Sequence, residues 1–295
     1  MPSPVFIKQL TLTRFQGFQI KLPAQAAVAP GGGLTLTKGT VGTTLTRAPS
    51  GFTTAKIRGT APMAVPAALF LAASTSAGDV ATQKAMHERY TQLFDGLSEA
   101  IRFAWDRFRQ QACFKNLRIT AVTVIGTPGC LDGPELEPLI KSAPATIGWT
   151  GSRAVVRDAV AAGFAACWED WRHKVTVPGL PWYPAFAAFP GPMAPPMPNV
   201  PMPLVACVSA GLASMSVLPL KASLSQRLSG KLDFHEQFSD ALATMLATSF
   251  TTWLASQMVT NVLGKGPVPS FAPPYVLVGP VVGGDNLAIP GHLMA

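Results

Sequence analysis

Charged residues are scarce in this 295-residue chain, at 13% of the sequence, whereas the apolar share of 48% is ordinary. An average soluble protein has about 25% charged residues, so roughly half of the usual charge is missing. A monomer of this size normally keeps a charged surface for solubility. The composition is typical of a membrane protein, of an expression-poor fragment or, in our preferred interpretation, of a subunit whose surface neighbouring subunits largely cover.

Cysteine is also sparse, and its number and spacing argue against a zinc site and against a secreted disulfide scaffold. The four residues form no Cys-x-x-Cys pair and are too few for a secreted disulfide scaffold; they are Cys113, Cys130, Cys167 and Cys207. We expect free, mostly buried thiols made in a reducing cytosol. The stretch from Met1 to Phe15 lacks the apolar core of a signal peptide, which predicts that no signal peptide directs secretion.

Motifs that carry catalysis are missing as well. His235 and Glu236 lack the second histidine of a zinc-protease motif, and no phosphate-binding Gly-x-x-x-x-Gly-Lys or Gly-x-Ser-x-Gly elbow occurs. The glycines at 31–33 precede no helix start, which argues against a dinucleotide loop. We therefore expect a chain that is not an enzyme and has no cofactor, no metal site and no catalytic residues.

Acidic residues are absent from residues 1–78, although seven basic ones occur there. A segment of one charge sign attracts an acidic protein face, nucleic acid or an anionic membrane. These charges are spaced singly, so a complementary protein surface is our first interpretation and nucleic acid our second. The basic, partner-facing candidates are Lys8, Arg14, Lys21, Lys38, Arg47, Lys56 and Arg58.

A helical phrase occurs three times in the rest of the chain. Each copy has an aspartate, apolar residues two and six places later, and aromatic residues ten and thirteen places later, all on one face of a helix. The copies are Asp95, Trp105 and Phe108; Asp158, Trp168 and Trp171; and Asp240, Phe250 and Trp253. The aromatic residues are typical helix-packing anchors. We expect the aspartates to favour the positive helix start rather than to form a three-carboxylate cation site.

Strand patterns surround these helices and predict an α+β fold. Thr-rich alternation between residues 5 and 60 predicts short strands in a basic, strand-rich N-terminal region. Residues 118–125 read as the best strand, followed by a solvated acidic loop with Asp132, Glu135 and Glu137. Gly96 interrupts the first helical segment, giving two helices or one weakened helix, and Ser152 is a plausible N-cap.

Proline dominates two long segments. Residues 175–220 contain no Lys, Arg, Asp or Glu, and within them residues 178–203 are proline-rich. Proline fixes φ and removes a donor, so this part is expected to be neither helix nor central strand but an extended arm lying across neighbours. Residues 205–218 read as strand or buried helix. A second proline-rich tail, residues 267–290, matches the first where Pro184-Ala185-Phe186 aligns with Pro269-Ser270-Phe271. The aromatic candidates in these arms are Trp182, Tyr183, Phe186, Phe271 and Tyr275.

These features divide the chain into four regions: 1–78, strand-rich and basic; 79–150, a first helical unit with a strand and the acidic loop; 151–220, a second with a proline-rich arm; and 221–295, a third with a Pro/Gly-rich tail. Residues 241–264 are uncharged and long enough to span a bilayer. Their many threonines and serines make them too polar, so membrane association is only an alternative.

In composition and layout the whole chain resembles structural proteins of tailed-phage virions and phage-tail-like contractile particles, among their tail, baseplate, neck or minor capsid components. Subunits of such particles interlock through extended arms. The resemblance implies a non-enzymatic structural subunit whose partners are copies of itself or other subunits, in a particle assembled in the bacterial cytoplasm. The alternatives are a membrane-associated protein and a minor virion protein that contacts nucleic acid through its N-terminus.

Overall fold

A computed structural model of this chain describes residues 35–38, 43–47, 77–120, 123–269 and 279–294. The described residues up to Gln92 and those from Leu93 onward form two compact units. In the first, strands β1 (Thr35–Lys38) and β2 (Thr43–Arg47) pair antiparallel. The other strands expected between residues 5 and 60 lie outside the described part of the chain.

Helices and strands both occur in the described chain, which confirms the mixed α+β class at that level. Each copy of the repeated phrase lies in one of three long helices. These are α1 (Ala77–Gln111), α3 (Gly151–His173) and α6 (His235–Ser256); the shorter helices are α2 (Leu136–Lys141), α4 (Pro184–Ala187) and α5 (Val217–Leu228). Helix α5 packs against both α3 and α6.

The apolar positions of the phrase form the core between the long helices. Side chains two and six residues after each aspartate are all buried, as a helical stripe facing a common core requires; they are Leu97, Ile101, Val160, Phe164, Leu242 and Leu246. The boundary between the two compact units falls inside α1, at Leu93, so all three buried pairs belong to the second unit.

Gly96 does not divide α1, which is one continuous helix. A Cβ at this position would lie 2.2 Å from Cζ2 of Trp149. The glycine therefore gives the indole of Trp149 room to lie directly against the helix backbone. A close approach of a ring explains this glycine better than an interruption of the helix does.

Helix α3 begins two residues earlier than the predicted N-cap implies. Its N-cap is Thr150, in extended conformation, and Ser152 lies inside the first turn. Gly151, the first helical residue, has a φ of +56°, a value that glycine adopts without the strain a side chain would cause. The predicted N-cap at Ser152 is wrong because the φ allowed at Gly151 lets the chain enter the helix sooner.

A five-stranded antiparallel sheet is the largest β-structure described, with β5 (Thr123–Ile125) at one edge followed by β4 (Arg118–Thr120), β13 (Val282–Asn286), β12 (Leu263–Pro267) and β8 (Met193–Pro198). Smaller pairings join β3 (Cys113–Phe114) to β6 (Leu131–Asp132) and β7 (Val175–Thr176) to β10 (Val208–Ser209). A three-stranded sheet has the order β14 (Leu293–Met294), β11 (Met258–Val259) and β9 (Met202–Pro203).

The single strand expected over residues 118–125 is wrong, because the chain turns back between β4 and β5. Ile119 pairs with Val124, and both side chains are buried. Five residues apart on one straight strand, these two side chains would point to opposite faces. Reversal of the chain places both on the same face, so burial favours the hairpin.

The proline-rich arm folds onto its own chain. Strand β8 pairs with β12 at the edge of the five-stranded sheet, a position that proline tolerates. The prediction of no helix is wrong, because α4 begins at Pro184, where a missing N–H costs no helical hydrogen bond. The two proline-rich tails also meet, since Phe189 and Gly279 exchange backbone hydrogen bonds.

Helix α6 ends at Ser256, and the chain continues into β11. Residues 241–264 therefore do not form a single helix, and the polar residues Gln257, Thr260 and Asn261 flank β11 in irregular structure. In the part of the chain that the structure describes, no helix has the length and apolar character needed to cross a membrane.

Candidate functional site

The aromatic residues of the three phrases meet in one cluster between α1, α3 and α6. The indole of Trp168 is central: its ring centroid lies 6.3 Å from Trp105, 5.3 Å from Trp253 and 4.9 Å from Phe108. Trp171 and Phe250 complete the cluster, in edge-to-face contact at 5.1 Å. All six side chains are buried. The structure thus brings together every aromatic residue of the repeated phrase.

This aromatic cluster has the character of a packing core. Most of its ring pairs are tilted or edge-to-face, the arrangements that aromatic quadrupoles favour. The indole nitrogens of Trp105, Trp168 and Trp253 have no hydrogen-bond acceptor among the described residues. Apolar contact therefore holds the three helices together at this point, without help from indole hydrogen bonds.

The aspartates of the phrase do not start their helices, so that part of the prediction is wrong. Asp95 lies in the middle of α1, while Asp158 and Asp240 lie beyond the first turns of α3 and α6. Asp158 pairs with Arg157, and the mostly buried Asp240 accepts a hydrogen bond from Lys221 at 3.0 Å. Pairing with basic side chains, rather than interaction with the helix dipole, therefore explains the positions of Asp158 and Asp240.

Among the arm candidates, Trp182 and Phe186 form a buried stacked pair with centroids 5.0 Å apart. Trp182 covers Gly264 of β12, where a Cβ would lie 2.6 Å from Cη2 of the ring. Tyr183 is exposed. Trp182 and Phe186 therefore attach the arm to its own sheet. Phe271 and Tyr275 lie outside the described residues.

Of the seven basic candidates, two fall in described backbone. Lys38 belongs to β1 and Arg47 to β2, at the two ends of their pairing. Lys8, Arg14, Lys21, Lys56 and Arg58 lie outside the described residues.

The three carboxylates of the acidic loop are partly or fully exposed, as expected, and two of them also pair with basic residues. Asp132 accepts hydrogen bonds from Lys115 at 2.6 Å and from the buried Arg172 at 3.1 Å. The bond from Lys115 is the main reason that the pKa of Asp132 lies below its ordinary value. Glu137 pairs with Lys141 one helical turn away. Asp132 and Glu137, two of the three carboxylates, therefore stabilise the fold through ion pairs.

Sequence reasoning missed two polar residues that fasten the C-terminal segment. The Asn286 side chain accepts from the Leu117 N–H at 3.0 Å and donates to the Phe114 carbonyl at 2.7 Å. Nδ1 of the buried His292 accepts from the Phe114 N–H at 2.8 Å. The N–H groups of Gly291 and His292 also donate to the Ala112 carbonyl, and we call all of these contacts the C-terminal latch. Asn286 and His292 lie far in sequence from the groups that they bind, so no local sequence pattern indicates these contacts. The adjacent glycines 283 and 284 indicate only that another backbone segment approaches closely.

The four thiols are free, as expected, and three are buried. Burial raises the pKa of Cys130 to about 11 and that of Cys207 to about 12. Burial is also the largest cause raising the pKa of Cys113 and Cys167. Thiols rather than thiolates therefore prevail at neutral pH, which leaves these cysteines poorly suited to nucleophilic chemistry.

An uncharged segment with exposed apolar side chains lies at residues 205–218. The expected strand is limited to the two residues of β10; the segment otherwise overlaps two 3-10 turns, Leu204–Ala206 and Leu212–Met215, and the first residues of α5. Four of its large side chains are exposed: Val205 (56%), Val208 (59%), Leu212 (50%) and Leu218 (79%). We call this the 205–218 segment. No Lys, Arg, Asp or Glu occurs anywhere between residues 175 and 220.

Within the described ranges, no three His, Cys, Asp or Glu side chains are grouped so that they could hold a metal ion. Comparison with protein-family models, with curated proteins and with solved structures finds no match to this chain.

Proposed function

We propose that this chain is a non-enzymatic structural subunit of a large multi-subunit assembly, of the kind that builds tailed-phage virions and phage-tail-like particles. The observation that carries this proposal is the 205–218 segment. Exposed large apolar side chains that are concentrated in one part of a protein are typical of a surface that contacts another molecule. Here four large apolar side chains are exposed within 14 residues of uncharged sequence.

The charge distribution supports a second contact in the same assembly. From Leu93 onward the chain has 14 basic and 13 acidic residues, so this part is nearly neutral. Residues 1–92 have nine basic and two acidic residues and therefore hold almost all of the excess positive charge. We infer that the basic, strand-rich N-terminal region faces an acidic surface of another subunit, while the helical units form the body of the particle subunit.

Size-exclusion chromatography with light scattering tests the proposal directly. The full chain should elute as an oligomer well above its 31.0 kDa monomer mass. Placing a charge on the 205–218 segment, as in Val208→Glu or Leu218→Glu, should reduce the mass, because a buried unpaired carboxylate disfavours an interface.

Ile147→Glu is the matched control, since Ile147 is also exposed but belongs to a different loop. This variant should retain the oligomeric mass. A wild-type protein that scatters as a stable monomer at all concentrations would contradict the proposal.

Contact with nucleic acid is the second candidate, and the seven cations of residues 1–78 favour it. Binding through these residues should weaken steeply with salt, because neutralised phosphates release counterions. Electrophoretic mobility with a DNA duplex at low and moderate salt measures this dependence. If the duplex is not retarded even at low salt, the basic region serves a protein partner.

A further inference from the structure

Strand β13 lies at the centre of the five-stranded sheet although it comes from the C-terminal segment. It separates β4 from β12, and both neighbours precede it in sequence. Without β13 the sheet would separate into the pair β5-β4 and the pair β12-β8. The unpaired backbone groups of β4 and β12 would then face an empty position, the β13 slot.

The side chains of β13 bury little apolar surface. Within the strand only Gly284 is buried, and glycine has no side chain to contribute. Pairing with β4 is irregular between Val282 and Gly284, and two residue pairs join the strand to β12. The large apolar side chains buried in residues 279–294 are Val281 and Leu293. Segments with so little apolar burial open more readily than core elements.

The C-terminal latch supplies what apolar burial does not. Asn286 and His292 bond to the backbone of Phe114 and Leu117, and the N–H groups of residues 291 and 292 donate to the Ala112 carbonyl. These partners are backbone groups, so every copy of the chain presents the same set. A tail from another copy would find the same hydrogen bonds.

Glycines make the β13 slot selective. A Cβ at Gly284 would lie 2.4 Å from the Lys265 carbonyl oxygen, and a Cβ at Gly266 would lie 2.5 Å from Cα of Gly284. Distances this short involve backbone on both sides and cannot be relieved by a rotamer change. A strand with a side chain at this register is therefore excluded, and the tail of this chain fits.

We propose that residues 279–294 are exchanged between copies of this chain, with β13 of one copy filling the slot between β4 and β12 of the next. The proposal rests on the proposed function as an assembly subunit and specifies how its copies interlock. Exchange preserves every hydrogen bond of the latch while joining two chains, the general route by which identical elements produce oligomers.

A disulfide between β12 and β13 distinguishes strand exchange between copies from self-filling, in which β13 occupies the slot of its own chain. Lys265 and Asp285 are direct partners in the antiparallel register. The Asp285 side chain is largely exposed, the Lys265 side chain is partly exposed, and the two form only a long ion pair of 4.0 Å, so replacing both leaves the core intact. Opposite residues of antiparallel strands lie about 4.5–5.5 Å apart at Cα, within the range of a disulfide.

The decisive measurement mixes an affinity-tagged Lys265→Cys chain with an untagged Asp285→Cys chain. The two are refolded together, oxidised and separated on a non-reducing gel. Exchange predicts a tagged–untagged product at twice the 31.0 kDa chain mass, lost on reduction. An Ile289→Cys chain is the matched control, because Ile289 is exposed on the same tail but lies outside β13. It should give at least tenfold less mixed product.

The double variant Lys265→Cys/Asp285→Cys completes the test. Exchange predicts covalent dimers or longer ladders, whereas self-filling predicts a disulfide within one chain and a monomer band. Wild-type protein that is oligomeric by light scattering while the double variant closes only within its own chain overturns strand exchange and leaves the proposed function standing. A monomer by light scattering contradicts both.

Discussion

The imidazole of His292 lies nearly parallel to the ring of Phe114, with an interplanar angle of 13° and centroids 6.3 Å apart. Its Nδ1 also accepts the backbone N–H of the same residue. An accepting Nδ1 places the proton of the neutral ring on Nε2. Burial lowers the pKa of His292 to about 4, because a charged ring would lose its hydration.

This buried histidine predicts a stability that depends on pH. An unfolded histidine titrates near pH 6.5, so between about pH 6.5 and 4 the unfolded chain binds a proton that the folded chain excludes. The free energy of unfolding should be largest above about pH 6.5 and should fall with pH down to about 4, by up to about 3 kcal/mol from this group. Urea unfolding at pH 7 and pH 5 measures the loss.

Replacing His292 tests whether its imidazole causes this pH dependence. His292→Gln should be less stable at pH 7 but should lose most of the pH dependence over this interval. His173→Gln, which changes an exposed side chain, should retain the loss between pH 7 and pH 5. Equal slopes in wild type and His292→Gln would show that other groups are responsible.

Trp168 is the central residue of the aromatic cluster, so its truncation should be severe. Trp168→Ala removes a fully buried indole that contacts rings from both other long helices. Such a change typically costs about 3–5 kcal/mol. Ile147→Ala is the control, because this isoleucine is exposed outside the proposed contact and should change the free energy of unfolding by about 0.5 kcal/mol or less. Comparable effects from both would contradict a core role for the cluster.

Gly96 should behave unlike other glycines in a helix. Alanine at such a position normally stabilises the helix by about 0.5–1 kcal/mol. Here the new Cβ would strike the Trp149 ring, so Gly96→Ala should destabilise by about 1–3 kcal/mol.

A double-mutant cycle isolates that contact. Adding Trp149→Ala removes the ring, and the alanine at position 96 should then be neutral or stabilising. Denaturant unfolding of the four proteins gives the coupling energy. A coupling near zero would mean that the ring does not restrict residue 96.

The charge pairs of Asp132 give a prediction with a defined pH sign. Asp132→Asn removes a carboxylate from the buried Arg172 and from Lys115, and should cost about 1.5–3 kcal/mol at pH 7. The folded pKa of Asp132 is lowered, so its contribution is present above the unfolded value and is lost as the pH falls through the folded value. The difference in free energy of unfolding between wild type and Asp132→Asn should therefore become smaller at acidic pH.

Asp170→Asn is the matched control for this pair. Asp170 and Lys174 form an exposed pair on the same helix as Arg172. Surface pairs of this kind contribute about 1 kcal/mol or less. A loss in Asp170→Asn as large as that in Asp132→Asn would contradict the importance of the buried arginine.

Helical periodicity made the core of this fold predictable. The +2, +6, +10 and +13 positions of each phrase are local in sequence, and the helix itself brings them to one face. Trp105, Trp168 and Trp253 could therefore be chosen as packing residues before any contact was known, and their burial in one cluster follows from that face.

Contacts made by side chains to distant backbone were not predictable. His292 bonds to Phe114 across 178 residues, and Asn286 bonds to Leu117 across 169. Neither residue belongs to a periodic pattern that would indicate burial. The proline-rich arm misled for a related reason: proline excludes central strands, but it does not show whether an edge strand joins its own sheet or another one.

The position of β13 also affects when this protein can fold. Its neighbour β4 is synthesised about 160 residues earlier. At roughly 5–20 residues per second, β4 waits about 8–32 s for its partner to leave the ribosome. During most of that interval only the β5-β4 hairpin has an open inner edge, because β12 is completed about 15 residues before β13 begins. On the same message, a chain that was started earlier already has its tail. Under the strand-exchange proposal, the open edge of a nascent chain accepts the finished tail of a copy that was started earlier.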